Sequence, residues 1–153
     1  MEKTMLWSFV VIWLVSIPFW IRKQPIKDWI IIYFLKGFLS GFLDSIVVAY
    51  KWIEYPIRMM PNVFQIHILF DLAVFPVLCV FYNQTSYHSR IKGIVGQAIL
   101  YSLPMSLSEY WAEKNTRLID YHQWNIGYTF ISLVITFLMV RVSIAIIRKY
   151  SQP

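Results

Sequence analysis

Apolar residues come in five blocks of nearly spanning length, separated by short polar connectors: Met5 to Ile21, Trp29 to Tyr50, Val63 to Tyr82, Gly93 to Trp111 and Asn125 to Ile147. At about 1.5 Å of rise per residue, about 20 apolar residues cross a hydrocarbon layer of about 30 Å. The pattern therefore predicts an all-α fold, a polytopic transmembrane bundle of five spanning helices that forms a single domain over residues 1–153. Pro25, Pro56 and Pro61 punctuate the connectors. No connector is long enough to hold a soluble domain.

Polar residues interrupt these blocks in register with a helix. In the second block Gly37 and Gly41 have small-xxx-small spacing, with Ser40 and Asp44 near the same side, so this face predicts close helix packing and an inward Asp44. In the third, His67 and Asp71 are four residues apart, stacked on one helix face and spaced to share a hydrogen bond or one cation. In the fourth, Ser102, Ser106 and Glu109 fall near one line, and Pro104 predicts a bend because it lacks a backbone donor. The fifth adds Thr129, Ser132 and Thr136 as weak polar lining. Each feature also has a plain structural reading, as packing, a satisfied pair or an interfacial carboxylate, and both readings stay open here.

Depth groups the charges. With the N-terminus outside, Asp44 lies about 9 Å, His67 about 6 Å, Asp71 about 12 Å and Glu109 about 3 Å below the outer helix ends. Lys36 and Arg141 lie about 10 Å from the inner ends, where long stems can snorkel toward a basic surface. The expectation is an acidic cluster in the outer half and a basic layer, Lys36 with Arg141, in the inner half. An ion at a helix centre costs about 2.5 to 3.5 kcal/mol, so bare Asp44 and Asp71 would consume much of a stability of about 5 to 15 kcal/mol. Lys36 stands about 12 Å from Asp44 along their helix, and His67 can neutralise at most one acid. At least one acid must then be protonated, hydrated or bound to a cation, and proton sharing among Asp44, Asp71 and Glu109 with His67 as partner is the expected solution.

Composition agrees with a bilayer as solvent: 58% of the 153 residues are apolar and 14% charged, with 7 Trp, 10 Tyr and 11 Phe available for interfacial belts. The net charge of +6 is dispersed among helix ends and forms no face that could track phosphates, which argues against nucleic acid. Cys79 is the only cysteine, so neither an intrachain disulfide nor a Cys-based structural zinc site can form. A bound cation is compatible with the acids, but no other cofactor is implied and the metal, if any, is unknown. Zincin, serine-elbow and phosphate-loop motifs are absent from the sequence.

The first block lacks small residues at a cleavage site and is followed by Arg22 and Lys23, which favours an uncleaved helix over a signal peptide. Arg22, Lys23, Lys27, Arg90, Lys92, Arg148 and Lys149 fall on one side and Lys3, Lys51, Arg58, Lys114 and Arg117 on the other. That bias predicts an outside N-terminus and a cytoplasmic C-terminus.

The stretches Gly37 to Ser45, Ile68 to Asp71 and Glu109 to Thr116, with Tyr121 and Trp124 following, resemble an uncharacterised family of small five-helix membrane proteins from spore-forming Gram-positive bacteria. The resemblance runs nearly end to end and implies a bacterial plasma membrane. It brings no activity or catalytic residues. The leading expectation for function is a polar intramembrane site that binds or passes a proton, cation or small molecule, since facing acids mark such paths. Behind it stands a non-catalytic accessory or assembly subunit, and further back a lipid-active enzyme using Asp71 and His67. The expected partners are the lipid bilayer and either a second copy, docked through Gly37 and Gly41, or another membrane protein.

Overall fold

The computed structural model describes residues 2–21 and 25–151. Arg22 and Lys23, used above for orientation, lie outside the described residues. Among the described residues five α-helices carry the fold: α1 (Glu2–Trp20), α2 (Ile26–Ala49), α3 (Phe75–Thr85), α4 (Ile91–Asn115) and α5 (Ile126–Ser151). A two-stranded antiparallel clasp, β1 (Ile53–Glu54) with β2 (Asp120–Tyr121), ties the connector after α2 to the one after α4. Two helices, Ile26–Ala49 and Ile126–Ser151, are long and apolar enough to cross a membrane by length and composition.

The third block departs most from expectation. Instead of one helix from Val63, residues 55–67 form an irregular segment, followed by two helical residues, Ile68 and Leu69, a five-residue π-helical turn, Phe70–Val74, and the 11-residue α3. Turn and helix together reach about 24 Å at 1.5 Å per residue, short of a span. Pro76 explains part of this, because it cannot donate to the carbonyl of Leu72 one turn back. The hydroxyl of Tyr33 on α2 donates to that carbonyl instead. Upstream, the Arg58 guanidinium donates to the carbonyls of Tyr55, Phe64 and Pro61 and so folds the loop on itself.

The other boundaries shift by a few residues, the usual scatter at frayed ends. α4 runs as one helix through Pro104. α2 ends in a Schellman motif: Trp52 N–H donates to Val47 O and Lys51 N–H to Val48 O. The motif places Lys51 at φ 55°, a left-handed position where glycine is usual.

Burial is inverted relative to a water-soluble bundle. Ile30, Phe34, Phe38 and Phe42 make an exposed stripe along α2, and Ile131, Ile135, Met139, Val142 and Ile146 make another along α5. Phe34 is 69% exposed while Lys36, two residues on, is 1% exposed. Ser40, Ser102, Ser106, Thr129, Thr136 and Arg141 are buried as well. One core cluster, around Trp29, Tyr82, Phe137 and Ile144, joins α2 to α5 at the end away from the clasp. The second, around Ile53, Leu69, Ala112 and Ile119, sits beneath the clasp and receives Leu6 of α1.

The glycine stripe is spent inside the chain. A Cβ on Gly37 would stand 3.6 Å from Leu72 and Pro76, and one on Gly41 3.7 Å from Ile66. Gly37 thus admits the π-turn and α3 to α2.

Candidate functional site

α2 packs on α3 and α5, and α4 packs on α5, but α2 and α4 do not pack on each other along their lengths. The space between them is a cavity of about 380 Å³. The clasp residues Ile53 and Tyr55 close one end, and Leu6 and Phe9 of α1 lie over its side. Most of the wall is apolar, including Leu43, Val74, Phe75, Met105 and Leu133. Set into it are Lys36, Asp44, Asp71 and Glu109, with Ser40, Thr129, Ser132 and Thr136.

Three of the four acidic-cluster residues expected from the sequence therefore share one wall. Asp71 sits within the π-turn and is only 3% exposed; such turns recur at functional sites because the extra residue re-aims side chains. The Asp71 and Asp44 carboxyls are within hydrogen-bonding reach of each other. Asp44 Oδ1 accepts from the Tyr55 hydroxyl at 2.7 Å, and its carboxylate also accepts from the His67 backbone N–H. Asp44 Oδ2 and Asp71 Oδ2 receive no donor from the protein. Two facing carboxyls can bond only if one carries a proton or if a donor comes from outside the chain.

Glu109 is better satisfied. Its Oε1 accepts from Tyr121 at 2.6 Å and from Thr129 Oγ1 at 2.9 Å, and Trp124 Nε1 donates to that same Thr129 oxygen at 2.9 Å. Burial first, and then the adjacent carboxylates, push the Tyr55 and Tyr121 phenols above the ordinary tyrosine range. Both hydroxyls stay protonated and able to donate.

His67 is corrected from partner to neighbour. It precedes the π-turn, its side chain is 1% exposed, and neither ring nitrogen has a hydrogen bond. Its ring packs 4.6 Å from Phe70 and 5.7 Å, edge-on, from Tyr55. The four-residue spacing to Asp71 did not stack the pair because the backbone there is not a regular α-helix.

The basic layer also divides. Lys36 Nζ donates to Thr136 Oγ1 at 2.6 Å and stands over the rings of Phe137 and Phe75 at 5.1 and 5.7 Å. It faces the cavity, close enough to Asp71 to feel its charge yet not in an ion pair. Arg141 lies elsewhere, donating to the carbonyls of Ser86 and Tyr87 at 3.2 and 3.3 Å and so capping the end of α3. Beside it Arg148 pairs with Asp28, binding the end of α5 to the start of α2.

Sequence reasoning missed Tyr55 and the clasp that delivers it. The signal was slight: two short β-branched and aromatic runs, Ile53-Glu54-Tyr55 and Ile119-Asp120-Tyr121, in connectors read as loops. Among the described residues no three carboxylate, imidazole or thiol groups converge as metal ligands. Comparison with protein families, with curated proteins and with solved structures finds no match to this chain.

Proposed function

We propose that the chain is an integral membrane protein whose intramembrane cavity binds a small molecule, with the Asp44–Asp71 pair as its polar anchor. The observation that carries this reading is Asp71: 97% buried, its Oδ2 without a protein donor, and lining a cavity of about 380 Å³. That volume lies within the range of about 300 to 1,000 Å³ typical of ligand pockets, and a bare proton or metal ion would not require it. The apolar stripes on α2 and α5 support lipid as the surrounding medium, since soluble proteins rarely leave such continuous apolar faces bare. On this reading all five helices lie in a bacterial plasma membrane, N-terminus outside and C-terminus cytoplasmic. The irregular segment before α3 is tolerated at membrane depth because it is packed against protein.

The test uses Cys79→Ala protein in native membranes with one new cysteine. Ser132→Cys, on the cavity wall, should react with a small membrane-permeant thiol reagent, while Val77→Cys, 1% exposed and off the wall, should not. Equal protection at both positions would refute an accessible cavity, and release of the protein by alkaline carbonate would refute membrane integration.

An assembly-subunit reading draws on α1, whose Val11, Ile12, Val15 and Phe19 are exposed beyond its contact with the clasp. Under it, Asp71→Asn would change complex formation and leave ligand binding without effect.

A further inference from the structure

We infer that the cavity's ligand is a primary amine carried on an apolar chain, the ammonium seated between Asp44 and Asp71. This rests on the cavity reading above and names its ligand class.

Charge comes first. The wall carries three acids against one lysine, and Lys36 is already engaged by Thr136 and two aromatic rings. Glu109 is held by two hydroxyl donors, Tyr121 and Thr129. The unmet demand is concentrated at Asp44 Oδ2 and Asp71 Oδ2, two buried acceptors with no donor. A cation with N–H donors satisfies both oxygens and neutralises the pair. A quaternary ammonium supplies charge without donors, and an alcohol supplies a donor without charge.

Shape comes second. The remaining wall, with Leu43, Val74, Met105 and Leu133, is apolar and suits a hydrocarbon chain. α2 and α4 do not pack on each other along their lengths, and Leu6 and Phe9 of α1 line the cavity on that side. An aminoethyl lipid headgroup and a free alkylamine share this chemistry.

The experiment titrates octylamine, octanol and octyltrimethylammonium into the full chain purified in detergent, read by thermal stability and by protection of Ser132→Cys from labelling. Octylamine should bind about tenfold or more tightly than either analogue, and Asp71→Asn should erase that preference. Equal binding of octanol, or an undiminished preference in Asp71→Asn, would overturn the inference. Should Asp71→Asn fail to fold, selective protection by octylamine and not octanol on the otherwise intact chain decides the matter alone. Native mass spectrometry from phosphatidylethanolamine or phosphatidylcholine vesicles separates the sources: selective retention of the former indicates a lipid headgroup, and octylamine binding without it indicates a free amine. A cysteine at 132 that no reagent reaches would instead sink the cavity reading itself.

Discussion

Replacing Lys36 by Met keeps most of the side-chain volume and removes the charge, so it separates what the ammonium does from what its stem does. Three effects are lost together. The bond to Thr136 Oγ1 is a charged hydrogen bond, a class worth about 1.5 to 3 kcal/mol. The Phe137 and Phe75 rings contribute about 0.5 to 2 kcal/mol each when desolvated. The third effect is the field at the carboxyl pair. Since no ion pair forms, the charges stand more than about 4 Å apart, and at an effective dielectric of about 20 a separation of about 4 to 10 Å corresponds to about 4 to 2 kcal/mol. A double-mutant cycle isolates that field, because the Thr136 and ring terms cancel. Its partner must be Asp44→Asn with Asp71→Asn, as either alone lets the remaining negative charge move to the other carboxyl. Equilibrium unfolding in mixed detergent and dodecyl sulfate micelles, followed by tryptophan fluorescence, should give a coupling of about 2 to 4 kcal/mol. Additivity within about 0.5 kcal/mol would mean that the carboxyl pair carries no net charge for Lys36 to feel, and the charge argument for a cationic ligand would fall with it.

Gly37→Ala should be tolerated, because its new methyl meets Leu72 and Pro76 at ordinary contact distance, whereas Gly37→Leu should lower the unfolding midpoint by forcing α3 off α2. Lys51→Gly should raise stability by about 1 kcal/mol in a denaturant or thermal melt, by relieving a left-handed side-chain conformation. Stability should decline above about pH 10: the unfolded tyrosines ionise there while buried Tyr55 and Tyr121 keep their protons. Tyr55→Phe with Tyr121→Phe should flatten that decline, and an unchanged profile would count against donation by these phenols. Single cysteines at Asn62 and Arg90 in Cys79→Ala protein should label from opposite faces of sealed vesicles with an impermeant reagent, and same-side labelling would refute the proposed topology.

What sequence made legible was axial. The length of each apolar block located α2 and α5 closely, and depth along the helices put Asp44, Asp71 and Glu109 in the same half of the bundle before any packing was known. Lateral placement was hidden. Lys36 was assigned to a basic layer with Arg141 because both sit at similar height, yet the sequence does not say which neighbour a long side chain meets across the bundle. Thr136 and the Phe137 ring face Lys36, whereas Ser86 and Tyr87 face Arg141. His67 was misplaced for another reason: the i, i+4 rule presumes a regular helix, but His67 precedes the first helical residue, Ile68, and the π-turn follows at once from Phe70.

That π-turn connects fold to site. An unbroken α-helix from Val63 would have given His67 and Asp71 a common face and let the imidazole meet the carboxylate. In the observed chain Pro76 withholds a donor, Tyr33 from α2 takes the freed Leu72 carbonyl, and Gly37 lets the turn lie close against α2. The same three features carry Asp71 to Asp44 and leave His67 among aromatic rings. Two carboxyls brought together by backbone geometry, with the nearest imidazole turned away, remain short of a donor by construction. The fold therefore creates the demand that a ligand would meet, and restoring regular helix there, for instance with Pro76→Ala, should weaken octylamine binding even though no cavity-wall side chain has changed.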